Sequence, residues 1–236
     1  MLQVFPEIPD CIFTTLKLKT TTLERRDKQD IEFHIQNYYP LDTPLLSNSD
    51  ILKGVYEGGL KTWESSIDLV LYIEDHIHPG NSHILELGCG SGLPSIYLAK
   101  IGYKVDFQDF NKDVLDLVTI PNLMANITYD SLNLGEIPHR FFYGSWSDAV
   151  GLRDSYDIII SCETIYDSDS NDALLDIIQG KLSAQGVCFI AAKKIYFGCS
   201  GSLEIFKEAA MKRGLNCTVM WQSEKGVKRE IVQVSR

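Results

Sequence analysis

From residue 51 to the C-terminus, short apolar segments alternate with segments whose apolar residues recur at helical spacing. Helical spacing is found at 67–73, before a Pro79-Gly80 break, and again at 93–100, 113–126, 172–182 and 203–213. The predicted strands are HILEL (83–87), KVDFQ (104–108), RFFYG (140–144), YDIIIS (156–161), VCFIAA (187–192), CTVMWQ (217–222) and REIVQV (229–234). Residues 1–50 show no sustained period, and we interpret them as an N-terminal arm or cap in front of one domain at 51–236.

The order of these elements predicts the fold. Strands that are apolar throughout and separated by helices indicate a parallel sheet covered on both faces, with right-handed crossovers. The last two strands are joined only by the segment QSEKGVK, which is too short for a helical crossover, so they should pair antiparallel. We therefore predict an α/β, doubly wound, seven-stranded Rossmann-like sheet, mostly parallel, with a C-terminal antiparallel hairpin.

Composition and charge narrow the class of protein. The chain has 236 residues, of which 44% are hydrophobic and 23% charged, as in ordinary globular proteins. A formal net charge of −10 argues against direct nucleic-acid binding, which depends on Lys and Arg, and suits a basic protein partner. No apolar run approaches the roughly 20 residues that span a bilayer, and the first residues lack signal-peptide features. We expect no membrane association, a monomer, and a cytoplasmic location with the nucleus as a second compartment.

The cysteines and histidines do not indicate a metal site. The six cysteines form no CxxC pair, which argues against a zinc site and a disulfide framework. The segment 74–78 (EDHIH) carries side chains that bind metals, but it lies at a predicted helix end just before Pro79. A solvated helix terminus is the favoured interpretation, and no metal is predicted.

A glycine turn, Gly88-Cys89-Gly90-Ser91-Gly92, follows the strand at 83–87 and opens a helix. Ligands bind such sheets at the carboxyl ends of the strands. The GxGxG spacing differs from the GxGxxG of dinucleotide sites, and the carboxylate of Glu86 would lie badly beside a pyrophosphate but suits an ammonium group. S-adenosylmethionine carries an amino group and a sulfonium and no phosphate, so the turn favours this cofactor. A purely structural strand-to-helix connection is the alternative.

Three further strand ends carry candidate functional residues. Asp109 can accept hydrogen bonds from both ribose hydroxyls, although it could instead cap the next helix. The segment from Tyr143 to Trp146 offers an aromatic face and backbone groups to an adenine, with a core role for Trp146 as the alternative. Glu163 and Tyr166 place an acid and a phenol at the middle of the carboxyl edge, which favours a functional role.

In combination, these motifs resemble the protein-histidine N-methyltransferases, seven-strand enzymes whose known substrate is a histidine of a large-subunit ribosomal protein. The resemblance covers residues 49 to about 202 and is carried by GVYEGGLKTWESS, LELGCGSGL, FQDFN, TIPNLMAN, FFYGSW, SCETIY and KKIYFG. It implies that residues 51–236 form an S-adenosylmethionine-dependent methyltransferase domain whose partner is a basic protein of the large ribosomal subunit.

The resemblance also implies a set of residues around the cofactor. They add to Glu86, at the end of the preceding strand, and to Gly90 of the turn. One segment crosses the pocket, another surrounds the ribose and adenine, a third lies against the base, and one serine lies near the reacting end. In that order they are Lys61, Thr62, Trp63, Glu64 and Ser65 with Gly88 of the turn; Gln108, Asp109 and Phe110; Gly144, Ser145 and Trp146; and Ser161. Trp63 would roof the cofactor, with a core contact between arm and sheet as the alternative.

Two departures from the family pattern affect the substrate prediction. The family often has Lys-x-His-Tyr-Phe-Gly followed by a glycine run, whereas this chain has Ile195 at the histidine position and a run of Cys199-Ser200-Gly201-Ser202. Both lie in a loop that we expect to cover the acceptor. Residues 1–50 are not matched to the family.

The predicted reaction is methyl transfer from the sulfonium to an imidazole nitrogen. Neutral imidazole predominates at pH 7, so catalysis can depend mainly on orientation. Glu163 would accept the other ring N–H, and Tyr166 would shape the acceptor slot. Lysine methylation stays open, because the acidic-x-x-Tyr pattern of 163–166 also fits it, and so does a non-catalytic cofactor-binding module. A nucleic-acid base methyltransferase is disfavoured, because no Asn/Asp-Pro-Pro-aromatic segment follows the fourth strand.

Overall fold

The structure is a computed structural model that describes residues 13–18, 31–36, 51–127, 138–148 and 151–236. Its strands are β1 (Phe13–Leu18), β2 (Ile31–Gln36), β3 (His83–Leu87), β4 (Lys104–Asp109), β5 (Arg140–Tyr143), β6 (Tyr156–Cys162), β7 (Leu182–Lys193), β8 (Asn216–Gln222) and β9 (Arg229–Ser235). Its α-helices are α1 (Glu64–His76), α2 (Leu93–Lys100), α3 (Lys112–Val114), α4 (Ile120–Asn126), α5 (Asn171–Lys181) and α6 (Leu203–Lys212).

Seven strands form one sheet in the order β5-β4-β3-β6-β7-β9-β8. The strands from β5 to β7 pair in parallel, whereas β9 pairs antiparallel with both β7 and β8. The predicted fold class, including the closing antiparallel hairpin, is therefore confirmed. Strand order reverses between β3 and β6, which is the position where such sheets bind ligands.

The two faces of the central strands pack into different hydrophobic clusters. On β3, Ile84 packs with side chains of α1 and α2, and Leu85 packs with side chains of α5 and α6. Because helices bury both faces of the sheet, the central strands are largely apolar instead of alternating apolar with polar residues.

Two predicted elements differ from the structure. The helix predicted over 113–126 is divided by a π-helical segment, Leu115–Thr119. Pro121 cannot donate a backbone bond in this helix, and the Thr119 hydroxyl donates to the carbonyl oxygen of Gly90 at 2.6 Å, so the widened turn is tied to the glycine turn. Strand β7 begins at Leu182, before the predicted start at 187, because Leu182 is buried and pairs with Tyr156 of β6.

Within residues 1–50 the structure describes β1 and β2, which pair antiparallel as a separate two-stranded sheet. Three alternate residues of β2, Ile31, Phe33 and Ile35, are buried in a cluster with side chains of α1, α2 and β4. The Asn126 amide bonds both the N–H and the carbonyl of His34, at 2.8 and 2.7 Å. The described part of the predicted arm thus shares the core, and a domain boundary near residue 50 stays a prediction.

None of the helices in the described ranges is long and apolar enough to cross a membrane. Within the same ranges, no three His, Cys, Asp or Glu side chains lie close enough to hold a metal ion. In the EDHIH segment, His76 stacks on Tyr72 with ring centroids 4.1 Å apart, and its Nδ1 contacts the Tyr72 carbonyl at 2.8 Å.

Candidate active site

A cavity of about 270 Å³ opens at the carboxyl edge of the sheet, where the strand order reverses. Its walls come from the glycine turn, the ends of β4, β5 and β6, and the segment that leads into α1. The residues that line it include Glu57, Gly58, Gly59, Lys61, Trp63, Ser66, Gly88, Gly90, Asp109, Phe110, Gly144, Ser145, Trp146, Glu163, Thr164 and Tyr166.

The glycine turn depends on backbone conformations that glycine adopts at little cost. Gly88 and Gly90 have φ of +66° and +50°. A Cβ at Gly88 would lie 2.6 Å from the Thr164 methyl carbon, and one at Gly90 would lie 3.2 Å from the Gly59 carbonyl oxygen. The turn therefore packs directly against two other walls of the cavity.

Gln108 and Asp109 hold the turn from the end of β4. The Gln108 Oε1 accepts from the Gly88 N–H at 3.3 Å and from the Trp146 indole at 2.9 Å, while its Nε2 donates to the Gly144 carbonyl at 2.8 Å. Asp109 Oδ2 accepts from the Gly90 N–H at 2.9 Å. Burial raises the pKa of Asp109 to about 6. Asp109 lines the cavity, whereas Gln108 joins three of its walls from behind.

The segment 144–146 forms the wall opposite the turn, and all three of its residues line the cavity together with Phe110. Gly144 has φ of +118° and no atom within 4 Å of the position of a Cβ, so a side chain here would enter open space. The Trp146 ring also packs against the core cluster of α5. The core and cavity interpretations of Trp146 are therefore both compatible with its position.

Only part of the segment 61–65 faces the cavity. Lys61 and Trp63 line it, and the Trp63 indole donates to the Gly58 carbonyl at 3.1 Å. Thr62, Glu64 and Ser65 are not among the lining residues. Glu64 pairs with Lys193 at 3.5 Å, and Ser65 is buried and donates a hydrogen bond to Glu163.

Glu86 and Ser161 lie beneath the cavity, and neither lines it. The Ser161 hydroxyl donates to the Leu87 carbonyl at 2.7 Å and contacts the Thr164 hydroxyl at 2.7 Å. Glu86 is 1% exposed, its Oε2 has no hydrogen-bond partner in the described part of the chain, and burial raises its pKa to about 8. A direct contact of either residue with the cofactor stays a prediction.

Glu163 stands at the junction of the first cavity with a second one of about 730 Å³, and it lines both. Its backbone has φ of +57°, the only positive value among the described non-glycine residues, and its N–H donates to the Ala191 carbonyl at 2.9 Å. One carboxylate oxygen accepts from Ser65, while Oε2 is buried without a hydrogen-bond partner among the described residues. Burial raises the pKa of Glu163, and the Ser65 hydroxyl opposes that rise. The Tyr196 hydroxyl opposes it as well, although it makes no hydrogen bond to Oε2 or to any other described residue.

Tyr166 also lines both cavities. Its hydroxyl donates a hydrogen bond to Glu57, and burial beside that carboxylate raises the pKa of the phenol. The Tyr166 ring meets the Tyr196 ring edge-on, with centroids 6.4 Å apart. The two predicted catalytic residues are thus brought together at the junction of the cavities.

Sequence reasoning missed the roles of Glu57, Lys193 and Tyr196, which all line the second cavity. The Lys193 ammonium lies 5.0 Å from the centre of the Trp63 ring. Lys193 ends β7 and Tyr196 follows it, so the rule that identified the ends of the other parallel strands would have found them. For Glu57, the sequence offered one indication: the residue lies in the motif GVYEGGLKTWESS, a few positions before the segment predicted to cross the pocket.

A family model described as lysine methyltransferase matches residues 46–206. The chain belongs to this methyltransferase family. This chain is 38% identical over 168 residues to a histidine protein methyltransferase 1 homolog of Dictyostelium discoideum, covering 70% of this chain and 52% of the relative. It is 33% identical over 216 residues to the homolog of Bos taurus, covering 80% of this chain and 58% of the relative. The chain thus spans little more than half the length of these relatives.

A solved structure adds to these matches. The magnesium protoporphyrin IX methyltransferase of Synechocystis PCC 6803, with bound SAH, aligns with a TM-score of 0.57 at 12% identity over 73% of this chain and 81% of that chain. This likeness supports the fold. The predicted resemblance to protein-histidine methyltransferases is confirmed, and the roles of individual residues toward the cofactor stay predictions.

Proposed function

We propose that this methyltransferase transfers a methyl group from S-adenosylmethionine to a side-chain nitrogen of histidine in a basic protein of the large ribosomal subunit. Membership of a methyltransferase family, together with a structural neighbour that holds SAH, supports S-adenosylmethionine as the cofactor. Relatives named histidine protein methyltransferase 1 support histidine as the acceptor.

The smaller cavity suits this cofactor. Gly144 leaves open space where any other residue would place a Cβ, and Phe110 and Trp146 offer aromatic faces beside it for an adenine. The Asp109 oxygens each accept one backbone N–H, from Gly90 and Asn111. Because each carboxylate oxygen has a second lone pair, Asp109 can also accept the ribose hydroxyls. When bound, S-adenosylmethionine supplies a methyl group on a positively charged sulfonium.

The observation that carries the proposal is the position of Glu163. A neutral imidazole has one N–H to donate and one lone pair for the attack. Glu163 holds one oxygen in place through Ser65 and leaves Oε2 without a partner among the described residues, at the junction of the two cavities. An acceptor ring in the larger cavity could donate its N–H to Oε2 and direct its lone pair toward the smaller cavity. Glu163 would thereby fix the tautomer and then assist loss of the proton.

The remaining parts of the proposal follow from charge and composition. The net charge of −10 suits a basic protein substrate and no direct nucleic-acid contact. We propose a monomer without membrane association that acts in the cytoplasm and also in the nucleus.

The test is to incubate the purified protein with ribosomal-protein extract and methyl-labelled S-adenosylmethionine, followed by amino-acid analysis of the labelled band. We expect methylhistidine in one large-subunit protein, and a loss of label with Glu163→Gln but not with Met211→Ala, an exposed residue of α6. Tight cofactor binding without any label would instead support the non-catalytic module.

Lysine methylation is the second candidate, favoured by the description of the matching family and by the spacing of Glu163 and Tyr166. A lysine acceptor arrives protonated, with a pKa of about 10.4, so its methylation rate should keep rising well above pH 7. A histidine acceptor, with an ordinary pKa of about 6.5, should give a rate that levels off near neutral pH. Methyllysine in the labelled band would keep the cofactor and overturn the histidine assignment.

A further inference from the structure

The larger cavity has a rim that the proposed chemistry does not use. The cavity shares Glu57, Trp63, Glu163, Tyr166 and Asp169 with the smaller one. A protein segment lying in the larger cavity would therefore bring one side chain to the junction, while its neighbours in sequence would contact the rim.

One side of the rim is apolar and exposed. Ile195, Phe197 and Val227 line the cavity and are 60%, 86% and 46% exposed. They lie on two neighbouring loops that are joined by a hydrogen bond from the Lys194 N–H to the Lys228 carbonyl at 2.9 Å. Apolar side chains gathered around the opening of a cavity are typical of a binding surface, whereas single exposed ones are ordinary.

The loop that carries Phe197 is held firmly at its base. The Gly201 N–H donates to the Tyr166 carbonyl at 2.8 Å, and the Ser200 hydroxyl donates to Asp167 at 3.0 Å. A Cβ at Gly201 would lie 2.0 Å from the Ile165 carbonyl oxygen, so the close approach requires glycine. Phe197 is thus presented to solvent by a loop tied to the active-site strand end.

Another part of the rim is acidic. Four carboxylates and two lysines line the cavity. Lys53 pairs with both Asp167 at 2.8 Å and Asp169 at 2.9 Å, and Lys193 pairs with Glu64, which lies outside the lining, so the carboxylates of this rim remain in excess over its lysines. A second copy of this chain, with a net charge of −10, would be repelled by this surface, whereas a basic segment would be attracted.

We propose that this rim, defined by Ile195, Phe197 and Val227 with Asp167 and Asp169, docks a basic protein segment that carries a bulky apolar residue close to the methylated side chain. The inference rests on the proposed function and adds to it the chemistry of the residues that flank the acceptor. The apolar residue would cover Phe197, and the basic residues would lie against the two aspartates.

Cys199 gives a direct readout of docking, because it is exposed, lines the cavity, and lies in the same loop as Phe197. The rate of its alkylation would be followed by mass spectrometry, with the half-buried Cys217 of β8 as internal reference. The probes are short histidine-containing peptides of equal length: one with arginine and leucine beside the histidine, one with leucine replaced by serine, and one with arginine replaced by glutamate. We expect only the first to protect Cys199 strongly.

Variants of the protein test the same surface. Phe197→Ala should weaken binding of the first peptide about tenfold, and Asp169→Asn should weaken it less and make it less sensitive to salt. The matched control is Met211→Ala, which removes a similarly exposed apolar side chain from α6 and should leave binding unchanged. These experiments measure binding, so they give a result even where no methyl transfer occurs.

Two results would overturn the proposal. In one, all three peptides protect Cys199 equally or not at all, while histidine methylation of ribosomal protein is retained; the proposed function would then stand without this docking surface. In the other, sedimentation shows a dimer that Phe197→Ala dissociates, which would reassign the rim to self-association. Failure of histidine methylation alongside selective protection would instead remove the proposed reaction and leave the docking surface in place.

Discussion

Replacing Glu86 by glutamine should give a variant whose free energy of unfolding increases, relative to that of the native protein, as the pH rises. Glu86 is 1% exposed, and burial raises its pKa from 4.5 to about 8. Between these two values the unfolded chain has released the proton and the folded chain still holds it, so the free energy of unfolding falls as the pH rises. Glutamine has no proton to release, so the variant lacks this loss.

The size of the effect follows from the two pKa values of Glu86. Each unit of pKa difference corresponds to about 1.4 kcal/mol. The native protein should therefore lose about 1 kcal/mol by pH 5, about 3 kcal/mol by pH 7 and close to 5 kcal/mol above pH 8. From pH 5 to pH 9 the free energy of unfolding of Glu86→Gln should gain about 4 kcal/mol relative to the native protein. An amide N–H without a partner would add a constant offset and leave this slope unchanged.

Urea denaturation of both proteins at several pH values measures this slope. Curves that stay parallel from pH 5 to pH 9 would refute the reasoning, because they would mean that the Glu86 carboxyl ionises at its ordinary pH despite its burial. Cofactor affinity of the same variant addresses the predicted ammonium contact. That contact requires the affinity to fall, whereas a buried carboxyl outside the cavity has no reason to change it.

Three further predictions concern Glu163 as the proposed catalytic group, a loop, and stability in acid. Glu163→Gln keeps the size of the side chain and should lower turnover at least about 100-fold with little change in cofactor affinity, measured by single-turnover kinetics and calorimetry. Gly201→Ala places a Cβ 2.0 Å from the Ile165 carbonyl oxygen and should cost about 2 kcal/mol or more in urea denaturation. Burial lowers the pKa of His139 from 6.5 to about 4, so the unfolded chain gains a proton first and stability should fall as the pH drops between these values. His139→Asn keeps an acceptor for the Val105 N–H and should remove about 3 kcal/mol of that loss.

Each of these predictions has a contrary result. If Glu163→Gln retained its turnover, the Glu163 carboxylate would not take part in the reaction, and the residue would serve only through its backbone. For the loop, Gly180→Ala is the control, since Gly180 has no atom within 4 Å of its Cβ position and no positive φ; equal destabilisation by both would argue against close packing at Gly201 as the cause. An unchanged acid slope in His139→Asn would assign the loss to other groups.

The carboxyl edge of the sheet could be predicted from the sequence because its residues follow local patterns. Apolar strands separated by helices determine which strand ends meet, so the glycine turn, Asp109 and Trp146 fall on the same cavity without any knowledge of contacts. What each side chain does there was less accessible. Gln108 was expected at the ribose, but its amide is used by Gly88, Trp146 and Gly144, and such contacts between distant segments leave no local pattern.

The junction of the two cavities depends even more on contacts between distant segments. Glu163 is oriented by Ser65, 98 positions earlier in the chain, and by a positive φ, which sequence patterns associate with glycine and not with glutamate. A strained backbone at a site is tolerated when the surrounding contacts fix it, and such strain occurs often at active sites. The pattern SCETIY identified the residue but gave no indication of this conformation.

Charge at the junction also bears on the choice between histidine and lysine. The Trp63 ring lines both cavities, and two ammonium groups lie near it, Lys61 at 4.8 Å and Lys193 at 5.0 Å from the ring centre. The bound cofactor would bring a positive sulfonium to the same region. The sulfonium would repel a protonated lysine entering here, and a like charge in a partly buried site favours its neutral form at the cost of binding, whereas the Lys193 ammonium is already paired with Glu64. A neutral imidazole meets no such repulsion and still offers Glu163 an N–H. Repulsion by the sulfonium thus favours an acceptor that is already neutral at physiological pH, which agrees with the relatives named for histidine and not with the description of the wider family.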